Sequence, residues 1–331
     1  MTSKARRHEG TEARREGRGR KASGLPGLPP RPADGHKGMF GRVLVVGGCD
    51  QMIGAPAFAA LAALRMGCGL VKIAAPRDVL AAVLTVAPEA TGLALGGAAP
   101  EKRLLEAAKE AHAVIVGPGL GQSADAVRRV LALVRLDKPM VLDADALNIL
   151  AAQSAWPRSF AAQAVLTPHP GEMKRLVGLC GAGFSLHPED KVRAEACTKT
   201  RAQAEACTTS RAQAEACATK AARAFGQVVL LKGHRTVVSD GRRLYVNHTG
   251  DSTLAKAGSG DVLSGMIGCL LAQGMDRFDA ACLAAHIHGL AGEIAGRRLG
   301  QRCALARDVI DALPQAIARH VAGSGTRGPG R

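Results

Sequence analysis

"RVLVVGGCDQMIGAPAFAALAALRMGCGLVKIAA", residues 42–75, places a β-rich run, a glycine break, a helical stretch and a second β-rich run in one unit. The same order recurs. "AVIVGPGLG" (113–121) leads into "ADAVRRVLALVRL", "PMVLDAD" (139–145) into "ALNILAAQ", and "AVLTPHPG" (164–171) into "EMKRLVGL". "QVVLLKG" (227–233) precedes a hairpin, "TVVSDGRRLYVN", and further helical stretches lie near 276–299 and 307–319. Strands alternating with helices demand crossover connections, so they build a parallel sheet with helices on both faces. The expected fold is α/β: a doubly wound, mainly parallel sheet flanked by helices, formed as one domain over residues 39–320.

The rest of the 331 residues qualifies that reading. Apolar residues make up 47% of the chain, enough to bury a sizeable core. No run of about 18 uncharged apolar residues occurs, so no membrane span is expected. Nine cysteines without a C-x-x-C pair point to a reduced, cytoplasmic protein. The formal charge is +16, of which residues 1–38 hold ten Lys/Arg against four Asp/Glu. That segment and the tail at 321–331 are expected to be disordered, too poor in apolar surface to offset their ordering entropy. No aromatic residues interleave the N-terminal charges, so a nucleic-acid partner is not expected.

Residues 194–223 read as three imperfect decamers, "AEACTKTRAQ", "AEACTTSRAQ" and "AEACATKAAR". Ten residues turn a helix by about 1000°, so each copy lags the last by about 80°. Cys197, Cys207 and Cys217 therefore form no single stripe, and a helical insertion lengthened at the surface is the expectation.

Ligands of open α/β sheets bind beyond the carboxyl ends of the strands, and there the unusual residues fall. Gly48, Gly54 and Ala55 follow the first run, and Gly117, Gly119 and Gly121 the second. Asp143, Asp145 and Asn148 follow the third, His169 and Glu172 the fourth, and Lys232 and Gly233 the fifth. Each set can be ordinary turn chemistry; five on one sheet edge point to a site. Pro168 and Pro170 stiffen the turn that holds His169. Glu172 reads first as a dipole partner in a helix's first turn and second as a metal contact. "HIHG" (286–289) sets its two histidines on different sides of a helix, which disfavours a metal pair.

"AGSGDVLSGMIGCLL", residues 257–271, completes the set. Val262, Met266, Ile267, Leu270 and Leu271 have helical spacing, so Gly258 and Gly260 lie at a helix N-terminus, where free N–H groups attract anions. The alternative is an ordinary helix start with Ser259 as N-cap. A P-loop is excluded because no G-K-[ST] follows. A Rossmann fingerprint is excluded because "VVGGCDQMIG" has the wrong spacing. Asp261 is then the puzzle, since a carboxylate beside polyphosphate is repelled. It makes sense as a base that takes the proton from a substrate hydroxyl receiving a phosphoryl group, with Mg²⁺ and the N–H groups stabilising the moving charge.

With "VGPGLG", "VLDADALNIL", "LTPHPGEM", "LLKGHRTVV" and "TGDSTLAKAGSGDVLSG" in this order, the chain resembles the NAD(P)H-hydrate dehydratases of the ribokinase-like superfamily over about residues 40–320. The resemblance implies repair of hydrated nicotinamide nucleotides: removal of water from the S epimer of NADHX or NADPHX, with ADP as co-substrate, Mg²⁺ as cofactor, and AMP and phosphate released. It places Ala55, Gly119, His169 and Asp261 against the hydrated dinucleotide. Lys232, Gly233, His234, Arg235, Thr236 and Gly260 fall in the AMP-contacting segments. It further implies a homo-oligomer, a tetramer, and a separate epimerase in the same pathway, since residues 1–38 cannot form an epimerase domain. Two departures stand out: "GDSTLAK" replaces the family's usual G-N-P-G-M-A-T near Asp251, and the decamers interrupt a region that is usually shorter. A small-molecule kinase of the same superfamily would share the glycines and the base but leave the phosphate on its product. A hydrolase has no G-x-S-x-G elbow to support it.

Overall fold

Val43 and Val45 of the first quoted run point to one face of a sheet, and Leu44 and Val46 to the other. Both faces are covered, so the strand reads as a continuous apolar run. The computed structural model describes residues 20–21, 24–153, 156, 160–178 and 211–324. Its strands are β1 (Arg20–Lys21), β2 (Arg42–Val46), β3 (Leu70–Pro76), β4 (Thr91–Leu95), β5 (Ala113–Val116), β6 (Pro139–Leu142), β7 (Gln163–Leu166), β8 (Val228–Leu231), β9 (Val237–Ser239) and β10 (Arg243–Val246). Its helices are α1 (Gly54–Arg65), α2 (Arg77–Val86), α3 (Pro100–Glu110), α4 (Ala124–Leu133), α5 (Asp145–Ala151), α6 (Pro170–Gly178), α7 (Arg211–Phe225), α8 (Ser259–Ala272), α9 (Arg277–Leu299) and α10 (Ala306–Ser324).

The sheet runs in the order β1-β10-β9-β8-β7-β6-β5-β2-β3-β4. From β8 to β4 all neighbours are parallel, while β9 is antiparallel to both β8 and β10. Val262 of α8, Leu283 of α9 and Leu313 of α10 join Val43 in one core; Leu104 of α3, Val130 of α4, Leu147 of α5 and Leu176 of α6 join Leu44 in the other. The mainly parallel, doubly wound expectation describes this sheet. The chain steps outward from β2 through β3 to β4, then returns to place β5 on the other side of β2. That reversal between β2 and β5 opens a crevice at the strands' carboxyl ends.

Four parts of the sequence reading change. Residues 77–110 also form α2, β4 and α3 without a clear sequence signal, since β4 (TGLAL) contains Gly92 and no run of β-branched residues. Residues 24–38, expected to be disordered, are ordered against the domain. Leu25 and Leu28 pack on the first core, and Arg31 donates to the Gly67 carbonyl at 2.7 Å and lies over the Phe40 ring. The packed part therefore begins before residue 39. The third decamer is also packed: Ala218, Ala221 and Ala222 of α7 are buried in the second core, with Cys217 packed against that core. Of the tail expected at 321–331, residues 321–324 continue helix α10; residues 1–19, 22–23 and 325–331, the first decamer and most of the second lie outside the described residues.

Helix α8 can lie against α1 because small residues meet there. A Cβ on Gly265 would come within 2.1 Å of the Ala59 carbonyl oxygen, and Ala59, Ala60, Ala62 and Ala63 of α1 are all fully buried. Gly265→Ala must push the two helices apart. Overpacking of this kind costs about 1–3 kcal/mol or more, so the melting temperature is expected to drop by several degrees. Turnover should fall as well, because Asp261 lies one helical turn before Gly265. Thermal unfolding and the kcat of the folded fraction check this; an unchanged melting temperature would show that the backbones separate freely.

Candidate active site

Helices α1 after Ile53, α5 after Ala144 and α8 after Gly258 begin without a side-chain cap, as do α2 and α3 after β3 and β4. By contrast α4, nearby in sequence, is capped by Ser123. Uncapped helix starts leave N–H donors and the positive end of the dipole for a ligand. Gly258 itself is the N-cap of α8, with φ 88, a conformation that favours glycine; a Cβ there would also meet Phe58 at 2.9 Å. Ser259, considered as N-cap from the sequence, is instead the first helical residue. Its hydroxyl lies 3.3 Å from Nε2 of the buried His288.

The two halves of the crevice come from the β2 and β5 ends. Gly48 donates its N–H to the Pro118 carbonyl at 3.0 Å, and a Cβ on Gly119 would come within 3.1 Å of the Ala55 Cβ. Ala55 and Gly119, 64 positions apart in sequence, thus share one wall. Gly119 has φ 61, so its left-handed backbone and its close neighbours both favour glycine.

After β6 the chain takes an unusual step: Ala144 has φ 49 and ψ −116. This turn separates the two carboxylates that flank it. Asp145 Oδ2 accepts the Gly121 N–H at 2.8 Å, tying the β5 loop down. Asp143, 1% exposed, turns the other way: its Oδ1 accepts from Lys232 Nζ at 2.7 Å, and its Oδ2 accepts from Ser264 Oγ of α8 at 2.7 Å. Lys232 leaves the end of β8 and also lies 4.0 Å from Glu172 Oε2. Burial alone would depress its pKa, yet the Asp143 and Glu172 carboxylates outweigh this and raise it.

Glu172 lies on the first turn of α6. Its Oε2 accepts the His169 N–H at 2.8 Å, and its Oε1 is 3.4 Å from His169 Nε2. Burial raises its pKa against the pull of Lys232. Gly171 donates its N–H to His169 Nδ1 at 3.0 Å, so neutral His169 carries its proton on Nε2, facing Glu172. Burial and then the Lys232 and Arg175 charges lower the His169 pKa, which keeps the ring neutral at physiological pH. The carboxylate raised as a metal contact is therefore directed at a lysine and a histidine.

Asp261 sits in the first turn of α8, among the described residues unreached by any hydrogen bond. Burial first, then the Asp143 carboxylate, push its pKa up to about 7 despite the opposing Lys232 charge. A base poised near neutrality is the value that proton transfer at physiological pH favours. Gly260 beside it leaves room for Lys232, whose Nζ would stand 3.4 Å from a Cβ there.

A cleft of about 330 Å³ is lined by His169, Gly260 and the β8–β9 turn Lys232, Gly233, His234, Arg235 and Thr236, while Asp261, Ala55 and Gly119 are not among its lining residues. Arg235 holds φ 61, an uncommon state for a side chain and one that marks functional turns. Asn247, Thr249, Asp251, Lys256 and His288 also line it and were not assigned from sequence. The glutamine-bound loop at Asp251, where the chain departs from the expected family pattern, is thus part of the wall: Gln301 donates to Asp251 Oδ2 at 2.8 Å. Burial pushes the His288 pKa down to about 4, so it presents a neutral ring. Among the described residues no three His, Cys, Asp or Glu are grouped to hold a metal. These residues do not form a resident Mg²⁺ cage, and His286 and His288 face different partners.

The doubly wound sheet is that of a ribokinase-like α/β fold, shared with a ribokinase-like superfamily protein of Enterococcus faecalis at a TM-score of 0.69 and 23% identity, over 88% of this chain and 92% of that one. The chain belongs to the NAD(P)H-hydrate dehydratase family, whose model matches residues 43–315. It is 40% identical to the ADP-dependent (S)-NAD(P)H-hydrate dehydratase of Neisseria meningitidis, over 80% of each chain. It is also 40% identical to the bifunctional NAD(P)H-hydrate repair enzyme of Moorella thermoacetica, with 88% of this chain and 52% of that one covered. The chain thus spans about half the length of the bifunctional relatives it matches. Among solved structures, the ADP/ATP-dependent NAD(P)H-hydrate dehydratase of Bacillus subtilis, co-crystallised with ATP and Mg²⁺, matches with a TM-score of 0.68 and 31% identity, over 88% of this chain and 94% of that one.

Proposed function

We propose that this chain dehydrates the S epimer of NADHX and NADPHX to NADH and NADPH, with ADP converted to AMP and phosphate. The observation that carries the reading is the free Asp261 carboxylate, poised near neutrality at an uncapped helix start beside Lys232. The hydrated nicotinamide ring lies toward Ala55, Gly119 and His169, with its hydroxyl on Asp261. AMP lies along Lys232–Thr236 and Gly260. Asp261 takes the hydroxyl proton as that oxygen attacks the terminal phosphoryl of ADP, and the bond to AMP breaks. Lys232 and the N–H groups at the start of α8 hold the phosphoryl oxygens during transfer. The ring nitrogen's lone pair then expels phosphate, and loss of a neighbouring C–H proton restores the reduced nicotinamide. Mg²⁺ enters as the counter-ion of the nucleotide, held by phosphate oxygens.

The same reading includes a cytoplasmic homo-oligomer, a tetramer, working after a separate epimerase. Among the described residues no helix is long and apolar enough to cross a membrane. The deciding experiment incubates the purified chain with hydrated NADPH and either ADP or ATP, following absorbance of the reduced nicotinamide and release of AMP or ADP with phosphate. Return of the absorbance with ADP supports the proposal. A stable phosphorylated product without reduced nicotinamide would assign the chain to the kinases instead.

A further inference from the structure

The cleft's lining accounts for Lys232 but not for the group that holds it. Asp143 is buried behind the lysine, bonded on one oxygen to Lys232 and on the other to Ser264. Ser264 follows Asp261 by three positions on α8, so the two share a helix face. Asp143 Oδ2 also stands 3.8 Å from where a Gly260 Cβ would be. One carboxylate therefore touches the lysine and the helix that carries the base, without reaching the cleft.

We propose that Asp143 is a positioning residue of the reaction: clasped by Ser264, it fixes the Lys232 ammonium beneath the phosphate site and keeps a negative charge beside Asp261. The inference rests on the dehydratase reading above. The charged groups that act on Asp261 are Asp143 and Asp145 from the β6–α5 turn and Lys232 from the end of β8. Of these, Asp143 is the nearer anion in effect, raising the Asp261 pKa more than Asp145 does. A like charge disfavours a second ionisation, so it makes Asp261 the stronger base. The Ser264 bond serves the other half of the role. Together with the Ala144 N–H, which donates to Oδ1 at 2.8 Å, it holds the carboxylate so that Oδ1 meets the lysine.

The two halves separate under mutation. Asp143→Asn keeps a group that accepts from Ser264 but removes the charge. The acid limb of its kcat–pH profile should move down by about one pH unit, with lower kcat on the plateau. Carbon-13 NMR of aspartate-labelled protein, with Asp261→Asn for assignment, should show the Asp261 titration midpoint moving by the same amount without any substrate. Ser264→Ala keeps the charge and removes the clasp, so its acid limb should stay in place while kcat falls by about ten- to a hundredfold.

An Asp143→Asn protein whose Asp261 midpoint and acid limb stay at the parent values would overturn the charge role. Parental kcat in Ser264→Ala would overturn the clasp, and this variant serves as the test if Asp143→Asn does not fold. Failure of the parent chain to restore reduced nicotinamide would instead refute the dehydratase reading, leaving the NMR midpoint as the measure of Asp143.

Discussion

Asp261→Asn is expected to lose about 10²- to 10⁴-fold in kcat, the usual cost of removing a general base, while nucleotide binding holds or tightens. Asparagine keeps the size of the side chain but cannot accept the hydroxyl proton, and it removes a negative charge that repels phosphate. The pH dependence follows from the same carboxyl. Asp261 is raised to about 7 in the folded chain, so parent turnover should climb as pH rises through 7. Stability moves the opposite way. A carboxyl raised above its unfolded value binds a proton in the folded state that the unfolded state releases, so its contribution is present at low pH and lost as pH rises from about 4 to 7. At pH 8 the parent carries a poorly solvated charge that asparagine lacks. Asp261→Asn should therefore melt a few degrees higher than the parent at pH 8, and the gap should narrow toward pH 5. Parental turnover in the variant would refute the base. A variant that melts lower at pH 8 would show the carboxylate acting mainly as a partner of the helix dipole.

Much of this site was legible because glycine and strand-end signals are local. The β2 run announces its two buried faces by period, and "AGSGD" announces a helix start by its glycines. One topological rule about strand ends grouped Lys232 with His169, and the glycine-rich helix start added Asp261. What sequence could not show was pairing across distance. Asp143 was noticed as an acidic strand end, yet its bond to Ser264 joins residues 121 positions apart, and neither residue was assigned a role. The same limit explains the N-terminal error. Residues 24–38 look too polar and proline-rich to fold alone, but Leu25, Leu28 and Arg31 need only a ready-made surface to pack on. In the third decamer, Ala218, Ala221 and Ala222 have the i, i+3, i+4 spacing of a buried face. The missed wall residues Asn247 and Thr249 carry no motif; Asn247 is placed by donating to the Thr249 and Ala285 carbonyls at 3.0 and 3.1 Å.

Lys232→Met should damage both function and stability, and the pH at which stability is measured distinguishes the causes. In the proposed reaction the lysine meets the nucleotide phosphates; in the structure its Nζ lies 2.7 Å from Asp143 and 4.0 Å from Glu172. Methionine fills similar space without charge. Losing one charge-stabilising donor costs about 10²- to 10³-fold in rate, and the nucleotide KM should rise because the ground-state phosphates lose the same contact. In the folded chain without nucleotide, Asp143 and Glu172 are left buried with no cation. Breaking a buried ion pair from one side costs about 3–5 kcal/mol. The lysine side chain is 22% exposed, so the lower end applies. Its own raised pKa means its stabilising contribution is complete at neutral pH and lost only as pH climbs past its folded value. Neutral pH is therefore where the variant's deficit is fully visible. Glu172 is already raised by burial, and without the ammonium it and Asp261 rise further. Both then bind protons in the folded state more readily than in the unfolded one, so the variant should recover stability as pH falls from 8 toward 5. Thermal unfolding across that range, beside steady-state kinetics in both substrates, reads each part. A deficit that stays constant with pH would mean the lysine acts through packing, and an unchanged nucleotide KM would place the phosphates elsewhere in the cleft.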